Sequence, residues 1–154
     1  MAQIMHRTAS DNLYLHKDFH GALSISIEYL HQTYGEEAVC RYLWQFATRW
    51  YAPLTHELCE RGLVALQEHF ERIYALERGH ITITRTEDEL ILHVDACPAV
   101  TYMRQQGYPV AMLFCETTRT VNEAICAGTP YTAEMPYYDP ETGRSTVRFY
   151  RRPA

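Results

Sequence analysis

Apolar residues recur at helical spacing through the first half of the chain. Residues 18–35 begin at an aspartate suited to a helix N-cap and end at a glycine, and residues 36–51 repeat the same apolar period. Pro53 can open a third helix, which we expect to continue, bent at Gly62, as far as Gly79. The pattern therefore predicts three amphipathic helices in this half.

The second half mixes strands and helices. Apolar and polar residues alternate across 81–94 on both sides of a polar turn, which indicates an antiparallel hairpin. Helices are predicted at 98–106 and 117–127, each followed by a glycine stop. A second hairpin is predicted from strands at 131–138 and 145–151, because the Asp-Pro-Glu-Thr-Gly sequence between them is a strong turn signal.

The predicted order is ααα-ββ-αα-ββ. It indicates an α+β fold in which the N-terminal helices pack on an antiparallel sheet built from the two hairpins. The 154 residues suit a single domain, 1–154, with a core that needs no disulfides. Such a sheet leaves a pocket beneath the helices, and we expect aromatic side chains to line it: Trp44, Trp50, Tyr137 and Tyr138. The alternative is that these aromatic residues belong to the core.

Charge and composition narrow the partners. The net charge of −5 comes with interspersed signs and no basic stripe, so we expect small-molecule partners and no nucleic acid. The chain has no apolar run of about 18 residues, and its first seven residues lack the apolar segment of a signal peptide, so we expect no membrane and a cytoplasmic location. In that compartment five cysteines, an odd number, should be free, metal-bound or catalytic.

Cys97 and Cys115 each stand where a helix is predicted to begin. The positive end of a helix dipole favours thiolate, the form that attacks carbonyl-like carbons and binds metals. We therefore predict that at least one of the two has a lowered pKa, and that both flank one site.

The helix after Cys115 carries a polar stripe. Cys115, Arg119, Asn122 and Cys126 share one face at 100° per residue. A guanidinium can hold a carboxylate through two parallel hydrogen bonds and an amide can orient a neighbouring polar atom, so the stripe suits a small anionic substrate. The predicted substrate-binding residues are Arg119, Asn122, Thr118 and Trp44. The alternative is a half-buried helix whose arginine reaches water and whose cysteines only pack.

Two sets of histidines are placed to act chemically. His16 and His20 are four residues apart and could converge on a metal or a reacting group if the first helix extends back to His16. His93 and Asp95 share one strand face just before Cys97, which makes His93 a candidate base for that thiol. The chain has no compact metal signature, so ordinary surface or core histidines are the alternative.

Several segments together resemble the L-2-amino-thiazoline-4-carboxylic acid hydrolase family. They are Phe19-His20, the run from Val94 to Ala99 that contains Cys97, the Cys115 segment, and the closing Gly143-x4-Arg148-Phe149-Tyr150 hairpin. The resemblance implies that water opens a five-membered thiazoline ring to give an N-carbamoyl-cysteine. In the family pattern an aspartate follows the second cysteine by three residues and the last hairpin carries a cysteine; here Thr118 and either Val147 or Arg148 stand instead. These departures imply either another substrate or a loss of hydrolysis.

A looser resemblance is to the vinyl-reductase-like small-molecule-binding domains. Some of these hold zinc through a Glu-x-x-Cys element, which Glu123-Ala124-Ile125-Cys126 resembles. The resemblance implies Cys97 as a third ligand and, for a tetrahedral site, a fourth from a histidine or from Glu134 in the last hairpin.

Two functions therefore compete. The first is a hydrolase in which Cys97 or Cys115 attacks the substrate, Arg119 holds its carboxylate, and His20 or His93 moves protons. The second is a non-catalytic binding or sensory domain, with zinc held by Cys97, Glu123 and Cys126. A domain whose cysteines only pack is the third interpretation. We expect folding without a cofactor, because no complete ligand set has conventional spacing.

The first two predicted helices carry more apolar surface than one sheet face can cover. A symmetric homodimer through them would bury the surplus, and two-fold pairs are the commonest oligomer. The residues concerned are Leu30, Tyr34, Leu43, Trp44, Phe46, Trp50 and Tyr51.

Overall fold

The computed structural model describes residues 17–153, which form an α+β fold as predicted. The helices and strands, in chain order, are α1 (Asp18–Tyr34), α2 (Glu36–Trp50), α3 (Ala52–Arg61), α4 (Val64–Glu77), β1 (Ile81–Arg85), β2 (Glu89–Val94), α5 (Pro98–Gln106), α6 (Glu116–Cys126), β3 (Tyr131–Tyr138) and β4 (Ser145–Arg151).

The main difference from the predicted elements lies at Gly62. The sequence predicts one bent helix from Pro53 to Gly79, but the structure has two, α3 and α4, on either side of this glycine. Gly62 has a φ of 69°, a left-handed conformation that cannot continue an α-helix and that residues with a Cβ rarely adopt. The apolar period survives the break, which is why the sequence alone suggested a bend.

The four strands form one antiparallel sheet in the order β1-β2-β4-β3. Both predicted hairpins are present, and β2 pairs with β4 so that Leu92 lies opposite Val147. Phe70 of α4 packs on Phe149 of β4, with ring centroids 5.6 Å apart, which holds α4 across the sheet. One face of the central strands therefore lies in the core beneath the helices.

None of the helices within residues 17–153 is long and apolar enough to cross a lipid bilayer.

Candidate functional site

A cavity of about 860 Å³ lies between α4, α6 and the sheet. Leu92, Val94 and Val147 of the central strands line it, and all three are at least 97% buried. Along α4 the lining runs from Ala65 to Glu77, which at 1.5 Å per residue is about 18 Å. The space is open to solvent on one side, and small-molecule sites form in large concave clefts with an apolar lining and a few polar groups, so it is the candidate site.

The polar groups of the cavity include Cys97, His20 and Glu77. His20 Nε2 lies 3.0 Å from Glu77 Oε1, and the two side chains are only 14% and 6% exposed. The pair joins the start of α1 to the end of α4. Since the carboxylate can only accept, Nε2–H donates, and in the neutral imidazole Nδ1 is then the basic nitrogen.

Cys97 directly precedes α5, as predicted, and is fixed by the second hairpin. Its backbone N–H donates to the Thr142 carbonyl at 3.0 Å, and a Cβ at Gly143 would overlap the Cβ of Cys97. Burial raises the pKa of the Cys97 thiol and the Glu77 charge adds to the rise, while backbone N–H groups at the helix start oppose it. The predicted lowered pKa is therefore wrong here, because desolvation outweighs the helix terminus.

Cys115 directly precedes α6, also as predicted, but it is not among the residues that line the cavity. Its Sγ–H donates to Glu116 Oε1 at 3.8 Å, and burial together with the Glu116 charge raises the pKa of the thiol. A lowered pKa is thus wrong for this cysteine too. Burial first, then the charges of Cys97 and Cys115, raise the pKa of Tyr138, so both thiols lie near this phenol.

Helix α6 presents different groups on two faces. Thr118 and Asn122 line the cavity, as the predicted substrate-binding set requires. Arg119 does not, because its guanidinium forms an ion pair with Glu116 one turn earlier. The residues of the predicted stripe therefore do follow one helical period along α6. Because α2 packs beside this helix, only part of the stripe reaches the cavity.

Asn122 is the most distinctive polar group of the cavity. Asn122 is only 6% exposed, yet its side chain forms no hydrogen bond with any of the residues 17–153. Its amide nitrogen and oxygen are not sealed in the core, so they reach the space of the cavity. A ligand in the cavity would provide the missing partner.

His69 and Arg72 of α4 also line the cavity, although no pattern in the sequence singles them out. The Arg72 Nη2 lies 3.5 Å from His69 Nδ1. Burial first, then the Arg72 charge, lowers the pKa of His69 to about 4, so the imidazole is neutral at pH 7. An edge-on contact with Tyr51, at 5.8 Å between ring centroids, also holds the ring.

Glu77 was missed as well, although a signal existed. Leu66, Phe70, Ile73 and Glu77 continue one apolar stripe at i, i+4, i+7 and i+11, so the acid stands where a core residue is expected. A carboxylate in that position needs a special partner or a special role.

Two other predicted site residues lie elsewhere. His93 is exposed on the sheet face opposite Leu92 and Val94 and lies 3.0 Å from Thr146 Oγ1, so the alternation of the strand keeps it out of the cavity. Trp44 is 40% exposed on α2 and does not line the cavity, whereas Trp50 does. His16, the predicted neighbour of His20, lies outside the described residues.

The residues proposed for zinc are not brought together. Within residues 17–153 no three His, Cys, Asp or Glu side chains form a group that could hold a metal ion, so Cys97, Glu123 and Cys126 do not converge. Burial raises the pKa of Cys126 to about 12, which opposes the thiolate that zinc requires. Glu134 forms an ion pair with Arg148 at 3.0 Å instead.

Comparison of the sequence with models of known protein families and with curated proteins finds no match. The chemical groups that line the cavity therefore indicate what the site can do. They are a thiol, a histidine oriented by a carboxylate, a neutral histidine beside a guanidinium, and an unsatisfied carboxamide, all lining one cavity.

Proposed function

We propose that the protein is a cytoplasmic hydrolase that opens a small carboxylate-bearing heterocycle or amidine of the 2-aminothiazoline type, with Cys97 as the nucleophile. The observation that carries the proposal is that Cys97 and the His20–Glu77 pair line the same cavity. A nucleophile, a base and a group that orients the base make up the general arrangement of covalent catalysis.

The raised pKa of Cys97 defines the task of the base. A thiol that is protonated at neutral pH must lose its proton as it attacks, and His20 Nδ1 is the basic nitrogen when Nε2–H is donated to Glu77. Glu77 is close enough to Cys97 to raise its pKa, so the pair and the thiol belong to one electrostatic environment. Among residues 17–153 the side-chain partner of Cys115 is the Glu116 carboxylate and not a histidine, which favours Cys97 as the nucleophile.

The reaction balances in two steps. The Cys97 sulfur attacks the ring carbon between nitrogen and sulfur, the ring carbon–sulfur bond breaks, and the departing sulfur takes the proton that His20 received. Water then attacks the same carbon and the bond to Cys97 breaks; one proton of the water goes to the exocyclic nitrogen and the other, through His20, returns to the Cys97 sulfur, so the open N-carbamoyl product leaves with one molecule of water added.

The test is hydrolysis of 2-amino-2-thiazoline-4-carboxylate, followed through the thiol that ring opening releases. Cys97→Ser should lower kcat at least a hundredfold, whereas Cys59→Ser is the matched control because Cys59 is exposed on α3 and outside the cavity. Cys115→Ser should also retain activity. Turnover that survives Cys97→Ser would exclude Cys97 as the nucleophile.

The raised thiol pKa values favour a second candidate, a binding or sensory domain without turnover. In that case Cys97 only contributes to the wall of the cavity. The two functions differ in the expected effect of losing the Cys97 thiol. If the protein is a hydrolase, alkylation of Cys97 by iodoacetamide should abolish activity, and substrate should protect the thiol. If it is a binding domain, Cys97→Ser should bind the ligand as tightly as the wild type does.

We also propose that the protein forms a homodimer through α1 and α2. Leu43 is buried, and Leu30 and Tyr51 are partly buried, but four of the predicted interface residues are exposed: Tyr34, Trp44, Phe46 and Trp50. Phe46 and Trp50 stack at 6.0 Å and help line a surface groove of about 410 Å³ on α2. Phe46→Glu should shift the mass measured by light scattering from dimer to monomer; a monomeric wild type at micromolar concentration would contradict the proposal.

A further inference from the structure

The charges along the cavity are unequally matched. Glu57 and Glu68 both pair with Arg61, and Glu77 pairs with His20. Arg72 is the charged side chain of the cavity lining that forms no ion pair with another residue of 17–153. Its weak contact with His69 Nδ1, at 3.5 Å, directs the guanidinium without neutralising it, because the imidazole is uncharged.

A second unsatisfied group lines the cavity from another element. Asn122 of α6 is 6% exposed and has no hydrogen bond within the described chain. Arg72 is an exposed side chain of the cavity lining, so α4 contributes a solvated guanidinium without an ion pair and α6 an amide that can donate hydrogen bonds. A carboxylate is the group that satisfies both, since it accepts two parallel bonds from a guanidinium and further bonds from an amide N–H.

We propose that Arg72 and Asn122 bind the carboxylate of the substrate, in place of Arg119. This inference rests on the proposed function for the identity of the substrate, but the clamp itself needs only the two side chains. Arg119 is not assigned this role, because it does not line the cavity and its Nη1 is paired with Glu116.

The lining between these groups is largely apolar. Leu92 and Val147 of the sheet border the same cavity as Arg72 and Asn122, and such a surface suits the carbon atoms of a small ring.

The experiment uses two compounds that differ only in the group in question. Binding of 2-amino-2-thiazoline-4-carboxylate and of 2-amino-2-thiazoline is measured by calorimetry on wild type, Arg72→Gln, Arg72→Lys, Asn122→Leu and Arg41→Gln. Arg41 is the matched control, an exposed arginine of α2 that does not line the cavity.

Wild type should prefer the carboxylate compound by roughly ten- to a hundredfold, the worth of charge-assisted hydrogen bonds. Arg72→Gln should abolish the preference, Arg72→Lys and Asn122→Leu should reduce it, and Arg41→Gln should retain it. Equal affinities in the wild type, binding of neither compound, or a preference that survives Arg72→Gln would overturn the clamp.

Turnover, measured separately, distinguishes this inference from the proposed function. An Arg72-dependent preference without hydrolysis would leave the clamp in place and remove the hydrolase. Hydrolysis with the same KM in wild type and Arg72→Gln would do the reverse.

Discussion

Within residues 17–153 two carboxylates are buried, and their surroundings differ. Glu116, 3% exposed, accepts hydrogen bonds from Thr120 at 2.6 Å, from Arg119 and from the Cys115 thiol, all within or next to its own helix. Glu77, 7% exposed, pairs with His20 of a different helix on the wall of the cavity.

The difference separates structure from chemistry. Local donors neutralise the Glu116 charge at fixed positions, which serves the packing of α6 against α2. Glu77 instead holds a group that can exchange protons in a space open to a ligand. A buried acid is therefore a sign of function only when its partner can also act on something else.

The largest expected effect is on kcat, through Glu77 in the wall of the cavity. Glu77→Gln should lower kcat by about 10²- to 10⁴-fold, the usual contribution of general acid–base catalysis, because a neutral amide no longer stabilises the imidazolium that forms when His20 takes a proton. Glu71→Gln is the control, since Glu71 is exposed on the same helix and accepts a hydrogen bond from Gln67. Steady-state kinetics on both variants measure the effect. Equal kcat values for Glu77→Gln and Glu71→Gln would contradict a catalytic role of Glu77.

The next effect concerns His69 and pH. Its folded pKa of about 4 lies below the ordinary 6.5, so the unfolded chain binds more protons between these values and stability falls as pH drops from 6.5 to 4. The loss should be on the order of 2 to 3 kcal/mol. Urea unfolding at several pH values measures it. His69→Gln should remove this part of the slope, whereas exposed His56→Gln should not.

A smaller effect is expected on stability, through Glu116 of α6. Glu116→Gln should lower the free energy of unfolding by on the order of 2 kcal/mol, because Thr120 and Arg119 lose a charged acceptor in a pair that is partly screened by solvent. Its kcat should remain that of wild type. Urea titration and kinetics on one preparation check both, with exposed Glu60→Gln as control; a large loss of kcat in a folded variant would contradict the structural role.

The smallest effect should come from Arg119→Lys. Since this side chain is 43% exposed, we expect a loss of about 1 kcal/mol or less in stability. Affinity for 2-amino-2-thiazoline-4-carboxylate should not change. Weakened ligand binding at full stability would restore Arg119 to the site and count against Arg72.

Much of the fold could be predicted because its signals are local. The turn before Gly143 and the alternation in β1 and β2 gave both hairpins, and Gly35 and Gly107 gave helix ends. The break at Gly62 was less visible, because apolar periodicity does not register a single left-handed residue.

The site was only partly predictable, because it depends on which helix covers which face. Cys97, Asn122 and His20 were selected from local patterns and do line the cavity. Arg119 shares a helix with Asn122, but Arg119 pairs with Glu116 one turn earlier while Asn122 lines the cavity, and the helical period alone does not distinguish the two. The outward position of His93 could have been foreseen, since Leu92 and Val94 on either side are apolar.

Gly143 links the second hairpin to the nucleophile proposed above. With a φ of 68° and no Cβ, it lets the turn between β3 and β4 lie directly against Cys97. Any larger residue at this position would displace the thiol, although the two lie far apart in the sequence. In evolutionary terms the pair should be inherited together, so relatives of this chain are best sought by requiring both the cysteine and the distant glycine.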